Sequence, residues 1–174
     1  QIMFEKFNVP SYCATSQQLC SLYANAQTTG IVVDLGEGLS RFTPIYEGKV
    51  ILNASIQNNL GGRDIDSFLL MMLEAEQFLG ESGGYASLSR KKEIVGDTKE
   101  EYCYVALDFD AELQKAHTSK ECDVLCTFPG DNSITIANER FRAPELLFKP
   151  HLNGLNSDGI HQTLFESINK CDIN

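Results

Sequence analysis

The sequence predicts a mixed α/β fold, on three observations. A β-branched run, Ile31 to Val33, ends on Asp34 and a glycine-rich tip, Leu35-Gly36-Glu37-Gly38, and Leu39 to Tyr46 then alternates as a returning strand does. Ser16 to Asn25, Ile65 to Leu73 and Gly159 to Cys171 carry apolar residues at helical spacing. No internal repeat, low-complexity tract or domain-sized linker interrupts the 174 residues, a length that suits one domain or two small ones.

Taken in order, Gln1 to Asn8 closes one element, because Val9-Pro10 breaks it, and Ser11 to Thr15 reads as a short strand. Ser16 is a suitable N-cap for a helix whose Leu19, Leu22 and Tyr23 share a face, with Gln17 in its first turn. After the hairpin, Gly48 to Leu52 offers one more strand, while Asn53 to Asn59 is polar and strand-poor. Leu60 to Asp64 is a turn into a helix with Ile65, Phe68, Leu69, Met72 and Leu73 on its core face. Gly80 to Gly84 is a break, and Leu88 to Tyr104 reads as helix interrupted near Gly96-Asp97.

Asp108 to Lys120 is a polar helix. Val124 to Phe128 and Ser133 to Ile136 make a hairpin around Pro129-Gly130-Asp131-Asn132. Asn138 caps a helix running to Leu147, Pro150 to Asp158 is loop, and the last helix turns Ile160, Leu164, Phe165 and Ile168 inward.

Composition narrows the function. The chain is 43% hydrophobic and 22% charged, as soluble globular proteins are, and its net charge of −10 leaves no basic stripe for a nucleic-acid backbone. Arg90-Lys91-Lys92 reads as a solvated helix face. No apolar run reaches the roughly 18 to 20 residues that cross a bilayer, and Gln1 to Phe7 lacks a signal-peptide layout, so an intracellular site is expected. The six cysteines show no C-x-x-C pair and read as free buried thiols; Cys122 and Cys126 near His117 fall short of a metal-ligand pattern. His161 reads as structural.

The hairpin tip carries the candidate chemistry. Gly36 and Gly38 can take positive φ and let backbone N–H groups approach an anion, while Asp34 can hold a cation, so the ligand suggested is a phosphate chain with Mg²⁺. Alone, D-x-G-x-G is more often the pattern of an ordinary tight turn. By composition, Gln17, Lys99 and Glu100 are solvent-facing polar residues.

Register adds what composition lacks. QIMFEKFNVP, LYANAQTTGIVVD, IYEG, GGRD, EIVGDTKEEYCYVALDFD, ITIANERFRAPELLF and GIHQTLFESINKCD each resemble actin segments, in actin order, over nearly the whole chain. The resemblance, to a divergent actin or actin-related protein, implies the partial α/β ATPase fold shared by actins, chaperone-type ATPases and sugar kinases (ribonuclease H-like), one α/β lobe with a smaller outer lobe inserted. Residues 1–25 would end a first domain and form the hinge helix, 26–60 with 156–174 would form the inner lobe, and 61–155 the outer. The family's first phosphate loop would lie upstream of Gln1 and its adenine-facing loop beyond Asn174, and a half-cleft alone would bind nucleotide weakly.

By the same resemblance, Asp34, Gly36, Glu37, Gly38 and Leu39 would face ATP or ADP, with Asp34 on Mg²⁺ or Ca²⁺. Gln17 would position the attacking water, Gly62 would lie near the ribose, and Lys99 and Glu100 would flank the adenosine. The chain departs from the family pattern at Leu35, which replaces a small hydroxyl residue, at Glu37, which replaces Asp, and at Gly96, which replaces Arg. Arg41 replaces the histidine that helps organise the water; a permanent cation cannot be a base, though it can stabilise phosphate charge. A local insertion falls between Leu73 and Glu93. His151 to Leu155 is a less apolar version of the family's hydrophobic plug, with Leu152 and Leu155 as exposed anchors.

The resemblance implies an ATP-binding cytoskeletal protein of the cytoplasm that forms or joins filaments and meets other actin-like subunits and actin-binding proteins, with slow or impaired hydrolysis. The alternative is a non-catalytic actin-like subunit of a larger assembly. A sugar kinase or chaperone-type ATPase fits FRAPELLF and GIHQTLF poorly.

Overall fold

A computed structural model describes residues 1–75, 88–128 and 132–171. The expected break at Gly80 to Gly84 and the turn at Pro129-Gly130-Asp131 lie outside those residues. The chain divides into two compact units, one of Gln1–Asp34, Arg41–Ile56 and Leu164–Asn174, the other of Leu35–Ser40 and Gln57–Thr163. The mixed α/β composition expected from the sequence is present, with α-helices and strands in both units.

The first unit opens with α1 (Ile2–Glu5) and α2 (Gln17–Ala24). Ser16 starts α2 as expected: its backbone is extended and its Oγ accepts from the Leu19 N–H at 3.2 Å, satisfying one orphan donor of the first turn. Ser11 to Thr15 is not a strand; the segment is exposed and pairs with no strand among the described residues, so it lacks a surface to pack on. Strands β1 (Gly30–Leu35), β2 (Ser40–Tyr46), β3 (Lys49–Val50) and β4 (Ile56–Asn58) form one sheet in which β2 pairs with each of the other three. The four residues between β1 and β2 can only join antiparallel neighbours.

β3 is shorter than expected. Glu47 at φ 47° and Gly48 at φ 76° make a two-residue turn that pairs Tyr46 with Lys49, and a 3-10 turn over Leu52–Ala54 then takes the chain off the ladder. β4 forms within the stretch expected to be strand-poor, because pairing with β2 outweighs its polar composition. Phe42, Pro44, Ile45, Ala54 and Leu22 are buried apolar residues of this unit.

The second unit is built on α3 (Gly62–Ala75). All five expected core positions, Ile65, Phe68, Leu69, Met72 and Leu73, are buried, and they pack with Leu60, Val95, Cys126, Ile134, Ile136, Ala143 and Leu146. Helix α4 (Leu88–Tyr102) runs unbroken through Gly96, contrary to expectation. A glycine costs a helix interior only about 1 kcal/mol. Its neighbours Val95 and Thr98 are fully buried, and Thr98 Oγ1 returns a hydrogen bond to the Ile94 carbonyl at 2.7 Å.

Helix α5 (Phe109–Thr118) starts at Asp108, whose Oδ1 accepts from the Ala111 N–H at 3.0 Å. Strands β5 (Val124–Phe128) and β6 (Asn132–Ile136) pair antiparallel from Val124↔Ile136 to Phe128↔Asn132. In α6 (Glu139–Glu145), Asn138 has helical dihedrals and makes no side-chain cap; Glu139 instead turns back to accept from the Ala137 N–H at 2.8 Å. A polar latch ties α5 to its surroundings. Arg140 donates to the carbonyls of Tyr102 and Cys122, each at 3.0 Å, and lies over the Tyr104 ring, while Tyr104 Oη donates to Glu112 at 2.8 Å. Burial pushes the Cys103 and Cys126 thiols up to about 11, so both stay protonated at neutral pH. Cys13 and Cys20 are exposed and do not meet the expectation of buried thiols.

Helix α7 (Ile160–Asn169) corrects the sequence reading most. Phe165 is 66% exposed and Ile168 42%, while Thr163 and Ser167 are buried. Both hydroxyls are satisfied: Thr163 Oγ1 donates to the Gly159 carbonyl one turn back at 3.1 Å, and Ser167 Oγ to the distant Ala54 carbonyl at 2.7 Å. Small residues permit this close packing, and a Cβ on Gly159 would strike the Phe148 carbonyl.

Among the described residues, no helix is long and apolar enough to cross a membrane.

Candidate functional site

In the first unit, α2 and β1 bring together one pair that the sequence did not single out. Gln17, the residue singled out, is exposed in the first turn of α2. Its neighbour Gln18 is buried on the same side of the helix as Leu22, and donates its Nε2 to Asp34 Oδ2 at 3.1 Å. The signal was the i, i+4 spacing to Leu22, which a polar residue at the inward position disguises in a count of apolar side chains. Asp34 is half-buried at the end of β1. Arg41 is exposed on β2 and makes no ion pair or side-chain hydrogen bond among the described residues.

In the second unit, the tip of the hairpin is locked onto the start of α3. The Gly62 N–H donates to the Gly36 carbonyl at 3.0 Å and the Arg63 N–H to the Glu37 carbonyl at 2.7 Å; the Gly61 N–H is taken by Asp64 Oδ2 at 2.8 Å. The first donors of α3 are thereby spent on the tip, so this helix end is a clamp and not an open anion site. The tip closes on itself through the Gly36 N–H and the Leu39 carbonyl at 3.0 Å.

Neither Gly36 nor Gly38 adopts positive φ, which corrects the reason the sequence suggested for them. At Gly36 the constraint is approach: a Cβ would sit 3.0 Å from the Leu39 carbonyl. The requirement at Gly61 is stricter. A Cβ there would fall 2.5 Å from the Glu37 carbonyl and 2.7 Å from that of Gly36, closer than real Cβ contacts. Gly38 is exposed beside the Arg63 guanidinium, and Leu39 is half-buried.

Lys99 joins this corner. A Cβ on Gly62 would lie 3.5 Å from Lys99 Nζ and 3.7 Å from the Glu37 Cα, so three candidates far apart in sequence meet at one place. Lys99 Nζ stands 2.7 Å from Asp66 Oδ1, an ion pair without the alignment of a hydrogen bond, and the ammonium keeps donors for another acceptor. Glu37 and Arg63 pair at 3.3 Å, but both side chains are mostly exposed, so the pair is worth no more than about 1 kcal/mol. Glu100 is exposed on the same helix as Lys99.

Asp34 fits a hard divalent cation by its chemistry. It is a half-buried carboxylate with one oxygen held by a neutral amide, and no basic side chain pairs with it among the described residues. The plug residues divide: Leu152 is 38% exposed, whereas Leu155 packs against the second unit's own core, so its expected exposure is corrected.

The Gly61-Gly62 turn that clamps the tip, the lysine against it and the acid at the end of β1 all lie in segments with actin-like register. A family model described as Actin matches residues 1–174. That match covers the whole sequence, and the chain belongs to the actin family.

Proposed function

We propose that the chain is an actin-type ATP-binding protein of the cytoskeleton that forms or joins filaments, with hydrolysis slower than its relatives'. Proteins of this family bind ATP or ADP with a divalent cation in a cleft. In this reading Asp34 holds Mg²⁺ or Ca²⁺, the tip from Gly36 to Leu39 faces the phosphates, Gly62 lies near the ribose, and Lys99 and Glu100 flank the adenosine. The cation, when bound, neutralises phosphate charge. The lobes would be 26–60 with 156–174 and 61–155, in the ribonuclease H-like arrangement, after a first-domain end and hinge over 1–25. The single observation that carries the reading is the corner where Gly62, Lys99 and the Glu37 backbone meet.

The residues suggest why turnover is slow. Gln17 is exposed and can orient a water through its amide, but an amide cannot take the water's proton. Arg41 stands where the family has a histidine and cannot take it either. Losing one positioned partner typically costs on the order of 10²-fold to 10³-fold in rate. Arg41→His is expected to speed phosphate release from ATP in the full protein. Slower release in the variant would make Arg41 a stabiliser of phosphate charge and overturn the impaired-site reading.

A second reading is a non-catalytic actin-like subunit of a larger assembly. It is favoured by Leu35, 46% exposed next to the tip where a hydroxyl would serve phosphate. Partners in either case are other actin-like subunits and actin-binding proteins, in the cytoplasm, with Leu152 as the plug residue left free to meet them. Absence of ATP binding in both wild type and Arg41→His would leave this second reading.

A further inference from the structure

Gln18 is a buried amide in a helix whose other buried residue is Leu22. A buried amide without a partner costs about 1–3 kcal/mol, and Gln18 avoids that by donating to Asp34 Oδ2 at 3.1 Å. The choice of partner matters. Lys or Arg at this position would fix Asp34 equally well but cancel its charge and compete with any cation. Glutamine fixes one oxygen and leaves the charge, and Oδ1 accepts no hydrogen bond and joins no ion pair among the described residues. The link also couples α2 to β1, so Asp34 is held in one rotamer by a side chain whose own position is set by burial against the first unit's core.

We infer that Gln18 is a positioning residue for Asp34, holding Oδ2 so that Oδ1 is presented to a divalent cation; the inference rests on the reading of Asp34 as the cation carboxylate. Partners that orient a metal ligand are typically worth 10-fold to 100-fold in metal affinity.

The test is Mn²⁺ binding to the full protein, read from water-proton relaxation, which needs neither nucleotide nor turnover. Gln18→Leu and Gln18→Met, both close to glutamine in volume, are compared with Asp34→Asn, and the unfolding midpoint of each metal-free variant is measured alongside. The expected result is that Asp34→Asn removes the enhancement and both Gln18 variants weaken Mn²⁺ by about 10-fold. If Asp34→Asn removes binding while the Gln18 variants keep wild-type affinity, the inference is overturned and the reading of Asp34 stands, even if their midpoints drop. If Asp34→Asn binds Mn²⁺ as wild type does, the reading of Asp34 falls and the inference with it. A leucine variant that fails to fold leaves the methionine variant to decide.

Discussion

The two units of the chain bury their apolar residues to different degrees. The second closes a core in which Leu60, Leu69, Leu73, Val95, Ile136, Phe141 and Leu146 are sealed from water. The first seals Phe42, Ile45 and Ala54, and leaves Ile2, Phe4, Phe7, Tyr46, Leu52 and Phe165 in solvent. Burial contributes about 25 cal/mol for each Å² of apolar surface, so the sealed side chains of the second unit contribute more than those of the first. Some of the candidate residues follow this division, whereas Asp34, half-buried in the first unit and held by the buried Gln18, and the exposed Glu37, Gly38 and Glu100 of the second do not. Gly36, Gly61 and Gly62 are set by backbone contacts and Lys99 by its ion pair with Asp66 in the well-packed unit, whereas Gln17 and Arg41 are exposed in the other.

The largest effect belongs to the sealed core. Leu69→Ala is expected to cost about 2–5 kcal/mol in chemical denaturation, and Phe165→Ala within about 0.5 kcal/mol of zero. Similar costs for the two would erase the contrast between the units.

Gly61→Ala comes next. Its Cβ cannot share space with the Gly36 and Glu37 carbonyls, so the tip must leave α3, at about 1–3 kcal/mol. Nucleotide affinity should fall with stability. Gly62→Ala, whose Cβ meets ordinary contact distances, should retain both to a greater degree, and equal behaviour of the two would mean that the clamp does not govern the tip.

A smaller effect concerns acid. The hydrogen bond from Tyr104 is the main cause that holds the Glu112 carboxyl below the usual glutamate range. The unfolded chain therefore takes up this proton more readily than the folded one. The stabilisation is complete above the ordinary glutamate value and is lost as pH falls through the lowered one. Tyr104→Phe should flatten the acid side of the stability profile and leave its slope near neutrality unchanged. An unchanged acid limb would remove the latch from the account.

Much of this was legible in the sequence where one signal dominated. The face of α3 followed from Ile65, Phe68, Leu69, Met72 and Leu73 because each is apolar and inward, and Ser16 caps α2 as residue type suggests. Where tertiary contacts outvoted local pattern, the sequence misled. Gly96 promised a break, but Val95 and Thr98 hold the helix; Phe165 and Ile168 promised a core face, but hydrogen-bonded Thr163 and Ser167 occupy it. Gln18 was missed for the same reason, since a buried polar residue with a partner looks from sequence like a solvated one. The candidate glycines were found by register, but their cause, close approach of carbonyls and not positive φ, required the geometry.

The central claim, that Asp34 and the clamped tip serve a cation and a nucleotide, is tested most directly by equilibrium binding of ATP to the full protein with and without Mg²⁺, in wild type and Asp34→Asn. The expected result is saturable binding that Mg²⁺ strengthens in wild type and does not strengthen in the variant. Equal strengthening by Mg²⁺ in both proteins would contradict it.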